Sequence, residues 1–516
     1  MELGTVISTM DSPTTNKFSF VIANTKVVRK ARFVQLQTEE GTLLGVVQDI
    51  VRANRYFERP ESVSEYEKNG KTAGGLNSSF TENFPANEWE FAVAECAVLG
   101  TIDKTLRRAS FPAAPGAKVL DADMKLLKEF FAFEDNGLNL GKLLVHDLEV
   151  KLNLNKLFQK HLAILGISGS GKSVTTAVMI EELLSRKKED GRIAAVVFDA
   201  HGEYVSFSDR KSNPEYAEKV AVINGNKVRI GATHLTTGML SELLPEMSPP
   251  QRRELSPILE KLRKNYRATG NLYGLESIIS EINATEMKEQ TKSALMAWLT
   301  ELKHMNLIGE SDYPGLKKAI KLGGLTVFDL SDIINQQKKQ IIVSYIAKKM
   351  FTLRRKEELP PYAMIVEEAH NFAPEKVEKR YAMSKSIINT VAREGRKFGA
   401  SLCLISQRPV QLSTTALSQC NTMLIMKITN PYDLDHIAKS AEAIDSHTQN
   451  QISSLRVGEG VLIGEAVNYP VFIRVRMRKT KKANKGETLE ELAKRFEEKL
   501  SIADLVKDVD VHDAFL

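Results

Sequence analysis

At 516 residues, with 42% hydrophobic and 26% charged residues, the chain is long enough for about three domains and apolar enough to fill their cores, which excludes a disordered polymer. Its net charge of +6, from 71 Lys and Arg against 65 Asp and Glu, is too mild to indicate nucleic acid by itself. No apolar run approaches the ~20 residues that cross a bilayer, and Met1 to Asp11 lacks the regions of a secretory signal, so a cytoplasmic protein without a membrane anchor is expected. Cys96, Cys403 and Cys420 are too widely spaced for a metal motif and read as buried free thiols.

Residues 1–120 alternate apolar and polar positions in short runs, such as Lys17 to Ile22 and Arg32 to Leu36, with further strand-like runs at Thr42 to Ile50 and Glu90 to Leu99. An all-β module is expected, closed into a barrel because closure removes sheet edges. The polar stretch from Ser62 to Ser79 reads as an exposed excursion from it, and Pro112 to Gly116 as a closing loop.

From about Leu138 strands alternate with helices, the pattern of a mostly parallel sheet covered on both faces. The apolar run Leu162 to Leu165 leads into Gly166-Ile167-Ser168-Gly169-Ser170-Gly171-Lys172-Ser173 and then, from Val174, a helical pattern. This is the strand, glycine-rich turn and helix of a phosphate-binding loop. The three glycines let backbone N–H groups converge on phosphate oxygens, Lys172 reaches the β and γ phosphates, and Ser173 holds Mg²⁺. ATP and Mg²⁺ are the expected cofactors.

Further strands are expected at Ala194 to Asp199, Leu325 to Leu330, Ala363 to Glu367, Ser401 to Ser406 and Thr422 to Lys427. Asp199 and Glu203 end the first of these at the edge where open α/β sheets gather ligand-contacting groups. Between it and the next, Leu235 to Met305 has helical apolar spacing, as at Leu255, Ile258, Leu259 and Leu262, with a break at Pro249-Pro250; a helical insertion is expected. The apolar run Ala363 to Val366 ends on Glu367 and Glu368. Beside a phosphate loop the first acid orders the Mg²⁺ shell and the second orients a water for attack on the γ phosphate, which distinguishes a hydrolase from a kinase. Gln407, after the apolar strand ending at Ser406, reads either as a sensor of the γ phosphate or as a turn cap.

Near the C-terminus, two strands about Asn468-Tyr469-Pro470 form an expected hairpin, followed by a basic run from Arg474 to Lys485 that is either a solvated strand end or a phosphate-contacting patch. Leu489, Leu492, Phe496 and Leu500 then share one face of a helix, expected to pack on its own or a neighbouring subunit.

Five segments in this order resemble the HerA-FtsK family of hexameric ATPases: Gly166 to Ser173, Asp199 to Tyr204, Val366 to Asn371, Ala392 to Gly399 and Ser406 to Pro409. The chain departs from the family in carrying Glu367 where aspartate is commoner. The resemblance implies a RecA-like core in two parts, 121–234 and 321–480, interrupted by the insertion 235–320, with an N-terminal HAS-type barrel at 1–120 and a helical tail at 481–516. It also implies a homohexameric ring with ATP between subunits, so that Arg393, or else Arg396, reaches the neighbour's γ phosphate, and Lys160 contacts nucleotide. Pro470, Val471 and Phe472 would wall the adenine, or simply complete the sheet.

The implied function is an ATP-driven translocase or helicase on double-stranded DNA, associated with the nucleoid when engaged, that feeds duplex to a NurA-like nuclease docked on the barrel for end resection in double-strand-break repair. Phosphate contacts on channel loops would come from Lys376, Lys379, Arg380 and Lys385, or from Arg210 and Lys211, each of which also reads as a solvated surface charge. The alternative is a secretion or conjugation-type ATPase that moves protein or DNA at a membrane complex.

Overall fold

The computed structural model describes the chain except residues 10, 55–56, 58–60, 62, 65–89, 104, 245, 377–381, 441–443, 445, 482–488 and 507–516, with backbone alone at 446–447 and 499–506. It divides into two compact units, Met1–Arg192 with Val343–Met477, and Ile193–Ile342 with Arg478–Leu516.

The first unit begins with β1 (Glu2–Ile7), β2 (Lys17–Ile22), β3 (Phe33–Thr38), β4 (Gly41–Asn54), β5 (Glu90–Ile102), β6 (Leu106–Arg107) and β7 (Lys118–Asp121). The order β2-β1-β7-β3-β4-β5, with β5 pairing back onto β2, closes a six-strand antiparallel barrel to which β6 is appended. Period-2 alternation decides the inside: Phe18, Phe20 and Ile22 are buried while Lys17 is exposed. Irregular register at Leu44/Gly45 and Val47/Asp49 lets the two longest strands bend around the barrel. Most of the Ser62 to Ser79 excursion lies outside the described residues.

The same unit continues with β8 (Leu138–Leu143), β9 (Glu149–Leu152), β10 (Leu162–Leu165) and the helix α1 (Lys172–Ser185).

In the second unit, β11 (Ala194–Asp199), β12 (Val220–Asn224), β13 (Ile230–Gly231), β14 (Ile308–Gly309) and β15 (Leu325–Asp329) all pair in parallel, as β12-β15-β11 and β13-β14. The sequence reading assigned no strand to Val220–Asn224. The expected helical stretch holds α2 (Thr237–Leu243), α3 (Pro249–Thr269), α4 (Leu275–Ala284) and α5 (Glu289–Met305). Its proline pair starts α3: Ser248 caps the helix in a capping box with Gln251, and the prolines occupy the first turn, where their missing N–H groups cost nothing. Leu255, Ile258, Leu259 and Leu262 are buried on one face of α3, each such side chain contributing roughly 1.5–3 kcal/mol.

The first unit resumes with β16 (Tyr362–Val366), the short helix α6 (Ala369–Phe372), α7 (Lys385–Phe398), β17 (Ala400–Ser406), β18 (Thr422–Met426), β19 (Glu459–Gly464) and β20 (Val471–Val475). Its sheet runs β16-β17-β10-β18-β19-β20-β8-β9. The first four strands are parallel and entirely buried; from β18 onward every pairing is antiparallel. The parallel pairing expected of the core holds for β16-β17-β10-β18 and for β12-β15-β11, and the first unit adds an antiparallel part beyond β18. The β19–β20 and β8–β9 connections are too short for the dozen or so residues of a parallel crossover.

The C-terminal helix α8 (Leu489–Val506) forms as its spacing predicts, but Leu489, Leu492 and Phe496 are exposed on the chain. All three cysteines are buried free thiols.

Candidate nucleotide site

The parallel strands β16, β17 and β10 end at one edge, and chemistry gathers on their tips. The loop after β10 is pinned to both neighbours: Gly166 N–H donates to Ser406 C=O at 3.2 Å and Ile167 N–H to Lys427 C=O at 3.0 Å. Gly171, just before α1, has φ 110°, and a Cβ there would lie 3.0 Å from Met426 Cε and 3.2 Å from Gly458 N, so both conformation and space demand glycine. Ser170 Oγ and Lys172 Nζ both donate to Ile167 C=O, at 2.8 and 2.9 Å, which folds the Lys172 amine back over the loop. Ser168 and Gly169 are exposed, and Ser173 and Val174 half-buried. The first-turn N–H groups of the 14-residue α1 have no partner within the helix and sit at its positive end. A tight glycine cradle, a free helix start and an inward-turned ammonium together fit a nucleotide's phosphates.

Strand β16 presents Glu367 and Glu368, both buried. Glu368 has φ 47° and ψ 47°, a left-handed conformation that costs a non-glycine residue of order 1–3 kcal/mol. Strain of that size fixes where the carboxylate stands. His370 Nδ1 lies 3.3 Å from Glu368 Oε2 and 3.1 Å from Ser406 Oγ, and Ser406 Oγ accepts from Arg408 N–H at 3.0 Å. Burial lowers the His370 pKa, the Glu368 charge opposes this, and Arg408 and Lys172 add to the lowering. One strand, β17, separates β16 from β10, which sets the acids about 10 Å from the phosphate loop across the sheet. Gln407, half-buried, follows directly on the β17 tip.

Other predicted residues are at the opposite end of the sheet. Lys160 precedes β10 and pairs with Glu465 at 2.6 Å. Burial pushes the Glu465 carboxyl up, but the Lys160 bond and charge, Asn421 and the charge of Arg396 outweigh it and leave it below the usual range. Arg393 and Arg396 are exposed on the last turns of α7, which His161 joins to β10 through Ala392 C=O at 2.9 Å. These cations stand roughly 15–20 Å along β10 from their own phosphate loop.

In the hairpin Leu462 pairs with Val471, whereas Gly458, at the other end, donates to Ser170 C=O at 3.0 Å and accepts from Val475 N–H. Through Val461 and Ile425, Phe472 stands level with Leu165, the last residue before the phosphate loop, three strands away across the sheet; Val457 and Met477, near Gly458, are exposed. Within the basic run, Arg476 bridges Glu181 and Glu182 of α1 at 2.8 and 2.7 Å, and the exposed Arg474 pairs with Glu459. In the second unit the buried Asp199 carboxylate accepts the N–H groups of His201, Gly202, Glu203 and Tyr204, so it clamps its own loop. Of the DNA candidates, Lys376, Arg210 and Lys211 are exposed, and Lys385 donates to Glu375 C=O at 2.8 Å. Lys379 and Arg380 lie outside the described residues.

The family profile described as "Helicase HerA, central domain" matches residues 138–350. A probable helicase of Methanocaldococcus jannaschii is 29% identical over 86% of this chain and 85% of its own length. The DNA double-strand break repair helicase HerA of Pyrococcus furiosus is 28% identical over 89% of each. Over most of its length the chain is similar to HerA helicases. That similarity and a phosphate-loop ATPase fold make it an ATP-hydrolysing enzyme of the helicase class. Among solved structures, VirB4 of Thermoanaerobacter pseudethanolicus shares the fold, with a TM-score of 0.52 and 16% identity over 67% of this chain and 98% of that one. Among the described residues no helix is long and apolar enough to cross a membrane.

His370 and Ser406 stood inside recognised segments without a role being assigned to either. The histidine directly behind a strand-ending acid pair, and a serine ending the neighbouring apolar strand, were the available signals.

Proposed function

We propose that this chain is an ATP-driven DNA translocase or helicase of double-strand-break end processing. The observation that carries this reading is the edge where the phosphate loop, Glu367-Glu368 and the Ser406-Gln407 tip stand side by side. Lys172 neutralises the β and γ phosphates, and backbone N–H groups from Gly166 to Val174 orient them. Ser173 and Glu367 would hold Mg²⁺, which supplies charge neutralisation on the phosphates when bound. Glu368 accepts a proton from the attacking water, its position fixed by its left-handed backbone. Gln407 reads the γ phosphate through its amide.

In this reading the chain comprises a barrel (1–120), an ATPase core (121–234 and 321–480) around a helical insertion (235–320), and a helical tail (481–516). Six copies form a ring in which Arg393, supported by Arg396 and Lys160, serves the neighbouring site. The placement of these cations far from their own loop supports that assignment. Duplex DNA is the substrate, contacted at phosphates by Lys376, Lys379, Arg380 and Lys385 and by Arg210 and Lys211. A NurA-like nuclease on the barrel receives it. The names of the relatives support the repair role.

The deciding experiment is the ATPase rate with and without linear duplex at several salt concentrations. Stimulation that fades steeply with salt is expected, because phosphate contacts release counterions. A rate indifferent to DNA at every salt would sink the DNA reading. Glu368→Gln should abolish turnover, by about 10²–10⁴-fold, while ATP still binds.

A further inference from the structure

We propose that Glu375 is a positioning residue that couples ATP binding to DNA contact, by locking the segment behind the acid pair onto the segment behind Gln407. It rests on the reading above, with Gln407 at the γ phosphate and Lys376 and Lys385 at the duplex. Glu375 stands seven residues after Glu368, and Thr414 seven after Gln407. Just there the two segments meet antiparallel: Ser413 N–H donates to Ala373 C=O at 2.7 Å, Pro374 bridges Leu412, and Glu375 N–H donates to Gln411 C=O at 2.8 Å. The Glu375 side chain adds a second pair of bonds. One carboxylate oxygen accepts Thr414 N–H at 2.7 Å and the other accepts the Thr414 hydroxyl at 2.8 Å. Burial pushes the carboxyl up, but both Thr414 bonds and the charges of Lys385 and His436 outweigh it and hold it below the usual range, so the charged form makes both bonds.

The lock has a nucleotide side and a DNA side. On the first, the short helix α6 joins Glu368 to Ala373, and Gln411 N–H donates to Arg408 C=O at 3.1 Å in a turn that follows directly on Gln407. On the second, the exposed Lys376 is the next residue, and Lys385, which opens α7, donates to Glu375 C=O at 2.8 Å. A displacement of Gln407 as a γ phosphate seats beside it is therefore passed through Gln411 and Thr414 to Glu375, and from the Glu375 backbone to both lysines. By linkage, duplex phosphates held by those lysines favour the same placement of Gln407. Removing the carboxylate leaves the backbone bonds but releases Thr414, and the lysines then respond less to occupancy of the site.

The test uses the full chain and equilibrium binding. The Kd of a fluorescent non-hydrolysable ATP analogue is measured with and without saturating linear duplex, and the Kd of a labelled duplex with and without the analogue. In the wild type the two ratios should be equal and at least about 5-fold, the low end of the usual coupling between sites. Glu375→Ala should bring both ratios to within about 2-fold of unity, while the analogue's Kd without DNA holds within about 3-fold. Thr414→Val, which keeps the N–H but loses the hydroxyl, should lower both ratios by about 2-fold or more, and Thr414→Ser should restore them. Undiminished ratios in Glu375→Ala, a loss of analogue binding without DNA as large as the loss of coupling, or ratios in Thr414→Ser as low as in Thr414→Val overturn the proposal. If Glu375→Ala fails to fold, Thr414→Val decides alone, and wild-type ratios there overturn it. The wild type separates the two levels. No duplex binding by the wild type refutes the DNA reading itself, whereas a coupled wild type beside an equally coupled Glu375→Ala refutes only the role of Glu375.

Discussion

The two ends of the four-residue β10 are chemically opposite. At the C-terminal end the backbone is bent into strained or glycine-only conformations, buried acids crowd the strand tips, and Lys172 folds onto its own loop. At the N-terminal end Lys160 and Arg396 surround Glu465, and Arg393 stands exposed beside them. The first end is a glycine cradle flanked by buried acids. The second is a set of cations with no phosphate within reach on its own chain. A flexible arginine spans about 7 Å from its Cα, well short of the strand length between the two ends. In the ring proposed above, the second end completes the first on a neighbouring subunit.

That pairing is broken most severely at the arginine. Arg393→Ala should lower ATP turnover by about 10³–10⁵-fold, the usual worth of an arginine supplied in trans, with nucleotide binding retained. Mixing supplies the stricter check. Arg393→Ala and Glu368→Gln chains, each inactive alone, should regain measurable turnover when assembled together, because some sites then combine an intact acid with an intact arginine. Mixed preparations as inactive as either parent would place Arg393 outside the site.

At the near end the expected loss is smaller. Lys172→Ala removes one fixed positive charge from the phosphates, an effect of about 10²–10³-fold on turnover accompanied by weaker ATP binding. The barrel buries its own core, including Phe18, Phe20 and Val34, so its thermal transition should be unchanged in this variant. A matching fall in melting temperature would mean that the Lys172 to Ile167 bond supports the fold rather than the chemistry.

How much of this was legible beforehand follows the same division. The near end is legible as a local pattern, because phosphate chemistry imposes spacing: glycines at 166, 169 and 171, then Lys172 and Ser173, and an apolar strand ending on two acids. The barrel was legible through its alternation, and the insertion through its 3.6-residue spacing. What failed depended on contacts distant in sequence. The hairpin was recognised, but which of its ends approaches the loop is set by the antiparallel register of β18 with β19, and composition does not encode that register. The places of β8 and β9 were not legible, because β8, early in the chain, pairs with β20 more than 300 residues later and β9 pairs with β8. Arg476 read as one of a basic run; only its approach to Glu181 and Glu182 makes it a brace for α1. His370 was visible as a letter, but its bond to Ser406 joins residues 36 positions apart.

The mildest expected effect is on the histidine that joins the far end to the strand. His161 is buried with φ 65°; its Nδ1 accepts from Leu402 N–H at 3.0 Å and its Nε2–H donates to Ala392 C=O at 2.9 Å, one residue before Arg393. Burial pushes its pKa from the usual 6.5 down to about 4, against the opposing pull of the Ala392 carbonyl. Between those values the unfolded chain binds the proton and the folded one does not, so stability rises with pH across that window. The contribution is complete above about pH 6.5 and is lost as pH falls toward 4, about 3 kcal/mol in all. His146, also lowered to about 4 by burial, adds a slope of the same sign. Melting temperatures measured from pH 7 to pH 4.5 should therefore fall in the wild type and fall less steeply in His161→Leu. That variant starts lower at pH 7, since Leu402 N–H and Ala392 C=O lose their partner at about 1–3 kcal/mol each. Identical slopes in the two proteins would mean that the ring is solvated, and the anchoring of α7 beside Arg393 would then have to come from packing of Ile388, Val391 and Ala392 alone.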